Sequence, residues 1–203
     1  MKTVKTAAVC AAAFLLTMCS PVQKQQPVQT TAKRIAPIDR RAGNIRTYAQ
    51  AKGFSTRYCF LVDMRMQSGL KRFFVYDLEK NSVISSGLVA HGSCGQGFLT
   101  EARFSNTPGG GCSSTGIYKV GVSYVGQYGK SYRLHGLQPS NSNAYKRAVV
   151  LHAYKGVPDE EIYPRPLCNS FGCPMVSTAF FKHLASLIDR SDKPILLWVY
   201  DDV

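Results

Sequence analysis

The apolar positions change period along the chain, and each change predicts an element. Behind Lys2 and Lys5, Ala7 to Met18 form a short apolar core. It is too short to span a bilayer and has the form of a secretory leader. The next stretch, "SPVQKQQPVQTTAKR", is rich in Gln, Thr, Pro and Lys without any apolar period, as expected of a linker. From Asp39 to Lys52, the residues Ile45, Tyr48 and Ala49 recur at helical spacing and predict one amphipathic helix ending at Gly53. Strands dominate beyond it. "YCFLVDMRM" and "KRFFVYDL", joined through "QSGL", predict a hairpin, and "SVISSGLVA" a third strand. "TGIYKVGVSYVG", "YRLHGL" and "RAVVLHAY" predict further strands, "PDEEIY" a short helical turn, and "PILLWVYDD" a buried closing strand. In "STAFFKHLASLIDR", Phe180, Phe181, Leu184, Leu187 and Ile188 share one helical face behind Ser177 as N-cap. His91 to Gly116 is a long loop rich in Gly, Ser and Asn, of the kind that borders a site. The pattern shows no repeat and no second domain. It predicts a mostly β fold, a β-sandwich or open barrel with two or three packed helices. A leader over 1–19 and a flexible linker over 20–38 precede a domain over 39–203.

Charge and cysteine usage narrow the partners. The chain has 203 residues and a formal net charge of +13; about +11 remains once Lys2 and Lys5 leave with a leader. So basic a surface draws anionic partners. Export argues against nucleic acid and favours a polyanionic envelope, anionic lipid heads or carboxylate-rich wall peptides. Leu16-Thr17-Met18-Cys19 resembles a bacterial lipobox. Cys19 is therefore expected to carry a lipid and become the first mature residue, anchoring the protein to a membrane in the periplasm or cell envelope. Of seven cysteines, Cys10 lies in the leader. With Cys19 acylated and Cys173 set aside for chemistry, Cys59, Cys94, Cys112 and Cys168 remain, an even number suited to an oxidising compartment. Their pairing is open, although Cys94 and Cys112 flank one Gly-rich loop. His91 and Cys94 make a lone H-x-x-C, too little for a zinc site, and no metal or other cofactor is expected.

The chemistry concentrates in "LCNSFGCPMV", 167–176, which follows His152 at the end of "AVVLHAY". A thiol nucleophile needs a base to form thiolate, donors for an oxyanion, and access. Gly172 permits a sharp turn that aims the N–H groups of Gly172 and Cys173 at one point, an oxyanion hole in outline. Pro174 starts the exit with no N–H. His152, held by a strand, is the candidate base. Its second nitrogen needs a partner to fix the tautomer. No Asp or Asn stands locally, which leaves a backbone carbonyl such as that of Ala153. The plainer reading makes Cys173 a buried cysteine, or half of a disulfide with Cys168, and His152 a satisfied core histidine. Chain order discriminates further. Papain-like enzymes place Cys before His; the Gln-Ala-Cys core of caspases and the Thr-Leu-x-Thr-Cys of sortases are absent. Ser68-Gly69-Leu70-Lys71 matches the Ser-x-x-Lys of penicillin-binding proteins, but it falls in a hairpin turn instead of at a helix start.

His152 followed by Ser170-Phe171-Gly172-Cys173-Pro174, together with "FLVDM", "GLVAHG", "FSNTPG", "SSTGIY" and "YRLHGL" in that order, resembles the L,D-transpeptidase (YkuD-like) catalytic domain, murein L,D-transpeptidase branch. The resemblance covers about 57–202. Phe171 stands where many members have His, and His135 where Asp is common in the branch. The resemblance implies that Cys173 attacks the L-centre carbonyl of a peptidoglycan tetrapeptide stem, at meso-diaminopimelate or its equivalent. Terminal D-alanine leaves, protonated by His152. The thioester then passes to an amine of a neighbouring stem as a 3→3 crosslink, in a monomer using no cofactor. Water in place of the amine gives an L,D-carboxypeptidase or hydrolase. A rival of another class is a non-catalytic, lipid-anchored wall-binding module. Ser170, Phe171 and His91 are then candidate substrate contacts. Arg165, on a loop pinned by Pro164 and Pro166, is the candidate grip on a stem carboxylate, with Arg133 next.

Overall fold

The computed structural model describes residues 31–202, so the expected leader, the lipid on Cys19 and most of the expected linker lie outside the described residues. Strand β1, Tyr58–Asp63, divides the interior in two. Phe60 and Val62 point into one core, Cys59 and Leu61 into another, as the two-residue period of a strand requires. β2 (Phe73–Asp77) and β3 (Ser82–Gly87) continue antiparallel from it. β4 (Gly116–Gly126), β5 (Gly129–Gly136), β6 (Val150–Ala153), β7 (Met175–Val176) and β8 (Leu196–Tyr200) complete one eight-stranded sheet, in the order β3-β2-β1-β8-β4-β5-β6-β7. β1–β8 and β6–β7 pair parallel. The sheet rolls up: just past β3, Val89 bridges Val176 of β7, and the Ala90 N–H donates to Met175 O at 2.9 Å. The architecture is thus a single curled sheet with a helix on each face, the barrel-like form of the mostly β expectation.

Helix α1, Thr31–Lys52, lays Ile38, Ala42, Ile45 and Ala49 on the outer face, against Leu61, Phe74 and Leu196. It begins at Thr31, inside the stretch expected to be linker. Pro37 and the polar composition there would not nucleate a helix, but a helix nucleated on the packed turns beyond can propagate back through them. Arg41 pins it: its guanidinium lies 3.9 Å over the Tyr200 ring and donates to Asp202 O at 2.6 Å. Helix α2, Thr178–Asp189, packs Phe181, Leu184 and Leu187 into the inner core, where each fully buried aliphatic contributes about 2 kcal/mol. Ser177 caps it by accepting the Phe180 N–H at 3.1 Å. "PDEEIY" is not helical. The N–H groups of Ile162 and Tyr163 donate to Gly69 O, and Glu161 accepts from the Lys71 N–H, so this segment spends its hydrogen bonds on the β1–β2 connection. Cys94 pairs with Cys112, while Cys59 and Cys168 are free thiols, so the four cysteines do not pair off completely.

Candidate active site

Gly172 sits at φ +108°, a region closed to ordinary side chains. A Cβ there would fall 2.5 Å from Cys112 O, so the turn before Cys173 lies hard against the disulfide loop. Ser170 fixes the same turn. It is buried, its Oγ accepts the Gly172 N–H at 3.0 Å, its N–H donates to His91 O, and its carbonyl accepts the Ser93 N–H. This corrects two expectations. Ser170 is a brace inside the turn instead of a surface for substrate, and the Gly172 N–H is already engaged and does not face an oxyanion. The N–H of Cys173 has no acceptor among the described residues, and neither has that of Phe171. Phe171 is 85 % exposed beside Cys173, open to any ligand of the thiol.

His152 comes from β6, and the loop carrying Cys173 runs alongside that strand. The His152 N–H donates to Pro174 O at 3.4 Å, and His152 pairs with Met175. His152 is 1 % exposed, and its ring stacks on Tyr128, centroid to centroid 4.2 Å. Its Nδ1 lies 3.0 Å from Ala153 O. A carbonyl only accepts, so Nδ1 carries the proton and Nε2 keeps a free lone pair. Burial pushes the imidazole pKa below its ordinary value, and the Ala153 hydrogen bond only partly offsets this. Burial likewise pushes the Cys173 thiol up, against the opposing pull of the Val150 N–H and the Arg147 charge. Both shifts favour the neutral forms, a thiol and an uncharged imidazole. Sγ accepts from the Val150 N–H at 3.4 Å and approaches Ala148 O at 3.9 Å, and it does not hydrogen-bond the imidazole. Proton transfer between Sγ and Nε2 would need a turn about the Cys173 Cα–Cβ bond or one bridging water.

The other expected contacts are placed differently. His91 is fully buried: Nδ1 accepts from Arg72 at 2.9 Å, and Nε2 lies 3.1 Å from Leu99 O. It lines no cleft, and with Cys94 in a disulfide the H-x-x-C pair is spent. Arg165 is exposed and its side chain makes no hydrogen bond among the described residues; its backbone carbonyl seats on Gly69. Arg133 lies opposite Val150 on β5, next to the strand that touches the thiol. A pocket of about 460 Å³ lined by Arg57, Tyr58, Arg190 and Lys193 contains none of these residues. Arg147 was not foreseen. It donates to Ser105 O and Cys112 O and to Ser114 Oγ, tying the disulfide loop to the segment before β6 within range of the thiol. Tyr128 was not foreseen either: it stands in the two-residue tip of the β4–β5 hairpin, and nothing in its local sequence points at His152.

The family profile of the L,D-transpeptidase catalytic domain matches residues 33–200. Among curated protein sequences none matches. Solved structures that are similar include the helical cell shape determining protein Pgp2 from Campylobacter jejuni, 13% identical over 72% of this chain and 48% of that one, with a TM-score of 0.47. An L,D-transpeptidase from Mycobacterium smegmatis is 11% identical over 71% of this chain and 58% of that one, with a TM-score of 0.39. The chain spans about half the length of the first of these.

Proposed function

The chain belongs to the L,D-transpeptidase catalytic domain family, and from that membership we propose that it is a cysteine-dependent acyltransferase acting on peptidoglycan stem peptides, with Cys173 as nucleophile and His152 as general base. The observation that carries the assignment is the fixed tautomer of His152: Ala153 O holds the proton on Nδ1, which frees Nε2 to take one from Cys173. Sγ attacks the L-centre carbonyl as the thiol proton passes to Nε2. The Cys173 N–H donates to the oxygen as it becomes negative. The C–N bond to the terminal D-alanine then breaks, and His152 returns its proton to the leaving amine. The thioester is opened by an amine of a second stem, whose proton goes through His152 back to the departing sulfur. The product is a 3→3 crosslink; hydrolysis uses the same acyl-enzyme with water as acceptor. The expected working place is the cell envelope, with Cys19 as lipid anchor and the stretch before α1 as tether.

Incubation with a disaccharide tetrapeptide tests this. The expected result is a Cys173 adduct lighter than protein plus stem by one D-alanine, and a crosslinked dimer when acceptor stem is present. Free tripeptide without dimer reassigns the enzyme to hydrolysis. A wild-type protein that never acquires the adduct removes the enzyme reading. Cys173→Ala and His152→Ala act as one unit, so the double variant should lose little more than either single one.

A further inference from the structure

Three basic side chains share the outer face of β4 and β5 next to the thiol. Lys119 pairs directly with His135 across the two strands. Arg133 stands two residues before His135 and hence on the same face; Tyr132 and Leu134 alternate with them into the inner core. Arg133 pairs in turn with Val150 of β6, whose N–H touches the Cys173 sulfur. Two properties set this group apart on a chain with a general surplus of cations. It is held: the Arg133 guanidinium lies 4.6 Å over the Tyr124 ring and 5.9 Å from that of Tyr145, and the His135 ring stacks on Tyr145 at 4.9 Å. It is also unneutralised: no carboxylate lies within ion-pairing distance of Lys119, Arg133 or His135 among the described residues. Arg165, by contrast, is exposed and makes no side-chain hydrogen bond among the described residues.

We propose that Lys119, Arg133 and His135 form an anion subsite that reads a free carboxylate on the donor stem and so sets which stems this enzyme accepts. The inference rests on the acyltransferase reading above and concerns the same cleft. A guanidinium packed over the Tyr124 ring and near Tyr145 can present two parallel N–H donors, the geometry of a carboxylate. The ammonium of Lys119 adds a point charge. One strand spacing on each side of β6 puts the fork on the order of 10 Å from the thiol, two to three residues of extended peptide. The stem's free carboxylates, on the residue preceding the diamino acid and at the far end of the diamino acid side chain, both fall within that reach. Amidation, which removes the charge and one acceptor, is then the modification the subsite rejects. His135 reports on occupancy. Its charged form is disfavoured first by burial, then by Lys119 and Arg133; a bound carboxylate offsets both cations and draws its pKa up.

The test uses the full chain carrying Cys173→Ala, so that stems bind without reacting. Calorimetry compares a tetrapeptide stem in its free acid form with stems amidated at one carboxylate at a time. The expected result is about tenfold or greater weakening for one of the amides, which identifies the carboxylate read. That preference should shrink towards unity in Arg133→Ala and partly survive in Arg133→Lys. In parallel, the His135 imidazole resonance should titrate at higher pH with the acid stem bound than without it. Equal binding of all forms, a preference that survives both Arg133→Ala and Lys119→Gln, or a His135 titration that does not move with the acid stem bound, overturns the subsite. Alkylation of Cys173 in otherwise wild-type protein bearing the Arg133 change checks that the fold is intact. Acylation of unmodified protein by the stem stands or falls separately, so the loss of one reading does not disguise the loss of the other.

Discussion

Gly172 and Cys173 show how little room the site leaves at single positions. A methyl at Gly172 meets Cys112 O at 2.5 Å and has to adopt φ +108°. Gly172→Ala should therefore cost roughly 2–4 kcal/mol of stability, read as a lowered denaturant midpoint. Acyl-enzyme formation should fall further than that loss accounts for. A variant that melts like wild type would show that the turn is not wedged against the disulfide loop. The preference of the pair for its neutral forms makes a second claim. The thiol is raised by burial from an ordinary value of 9.0 and the imidazole lowered from 6.5. The rate of alkylation by a small neutral reagent should climb only at alkaline pH, with no plateau around neutrality, whereas acylation by a stem should fall away on the acid side as His152 charges below its ordinary pKa. A neutral alkylation plateau would reveal a standing thiolate. His91 yields a prediction for stability. Burial, reinforced by Arg72, holds its pKa down at about 4. The folded state therefore binds fewer protons than the unfolded chain between pH 6.5 and 4. The stability His91 lends is complete above pH 6.5 and is lost as pH falls through that window, on the order of 2 kcal/mol. In His91→Gln the acid side of the melting-temperature profile should be flatter; an unchanged slope assigns the loss to other groups.

Among the elements, β1, β2, β4, β8 and α2 are legible because their apolar residues repeat at a period that burial then uses. Ser177 is legible for the same local reason, and Ser177→Ala should lower stability by about 1 kcal/mol with the reactivity of Cys173 unchanged. The elements that escape are those made by partners instead of by pattern. β7 is two residues long, and "PMV" becomes a strand only because β6 lies beside it. "PDEEIY" has the composition of a helix start, yet Gly69 O collects its N–H groups. The first turns of α1 have no apolar period and exist by continuation from the packed turns that follow. Within the site the same division holds. The thiol turn and the strand histidine announce themselves by residue type and order. Arg147 and the buried Arg72–His91 pair do not, since most of their partners are backbone carbonyls, which every residue possesses and no sequence displays.

At the scale of the molecule, the rolled sheet brings its two edges together at Val89 and Val176, and the site lies along that seam. The Gly-rich loop from the β3 side and the Cys173 loop from the β7 side are laced by bonds between Ser93 and Ser170, His91 and Ser170, and Ser113 and Gly172. The candidate nucleophile thus depends on contacts between segments more than seventy residues apart, since Gly92 bridges Ser170. The Cys94–Cys112 bridge closes the near side of that lacing across a sequence separation of 18. A loop of about that length gains roughly 3 kcal/mol from closure, and Cys112 O is what Arg147 and the Gly172 turn both rest against. In a chain whose thiols are still reduced, the floor beneath the candidate nucleophile is unsecured. Treatment with a phosphine reductant should slow stem acylation several-fold while leaving the bulk far-ultraviolet circular dichroism in place, and reoxidation should restore the rate. The bridge would then work as a lock opened by arrival: a newly made chain would hold its cutting edge blunt while its surroundings are reducing, and become sharp only where thiols are oxidised.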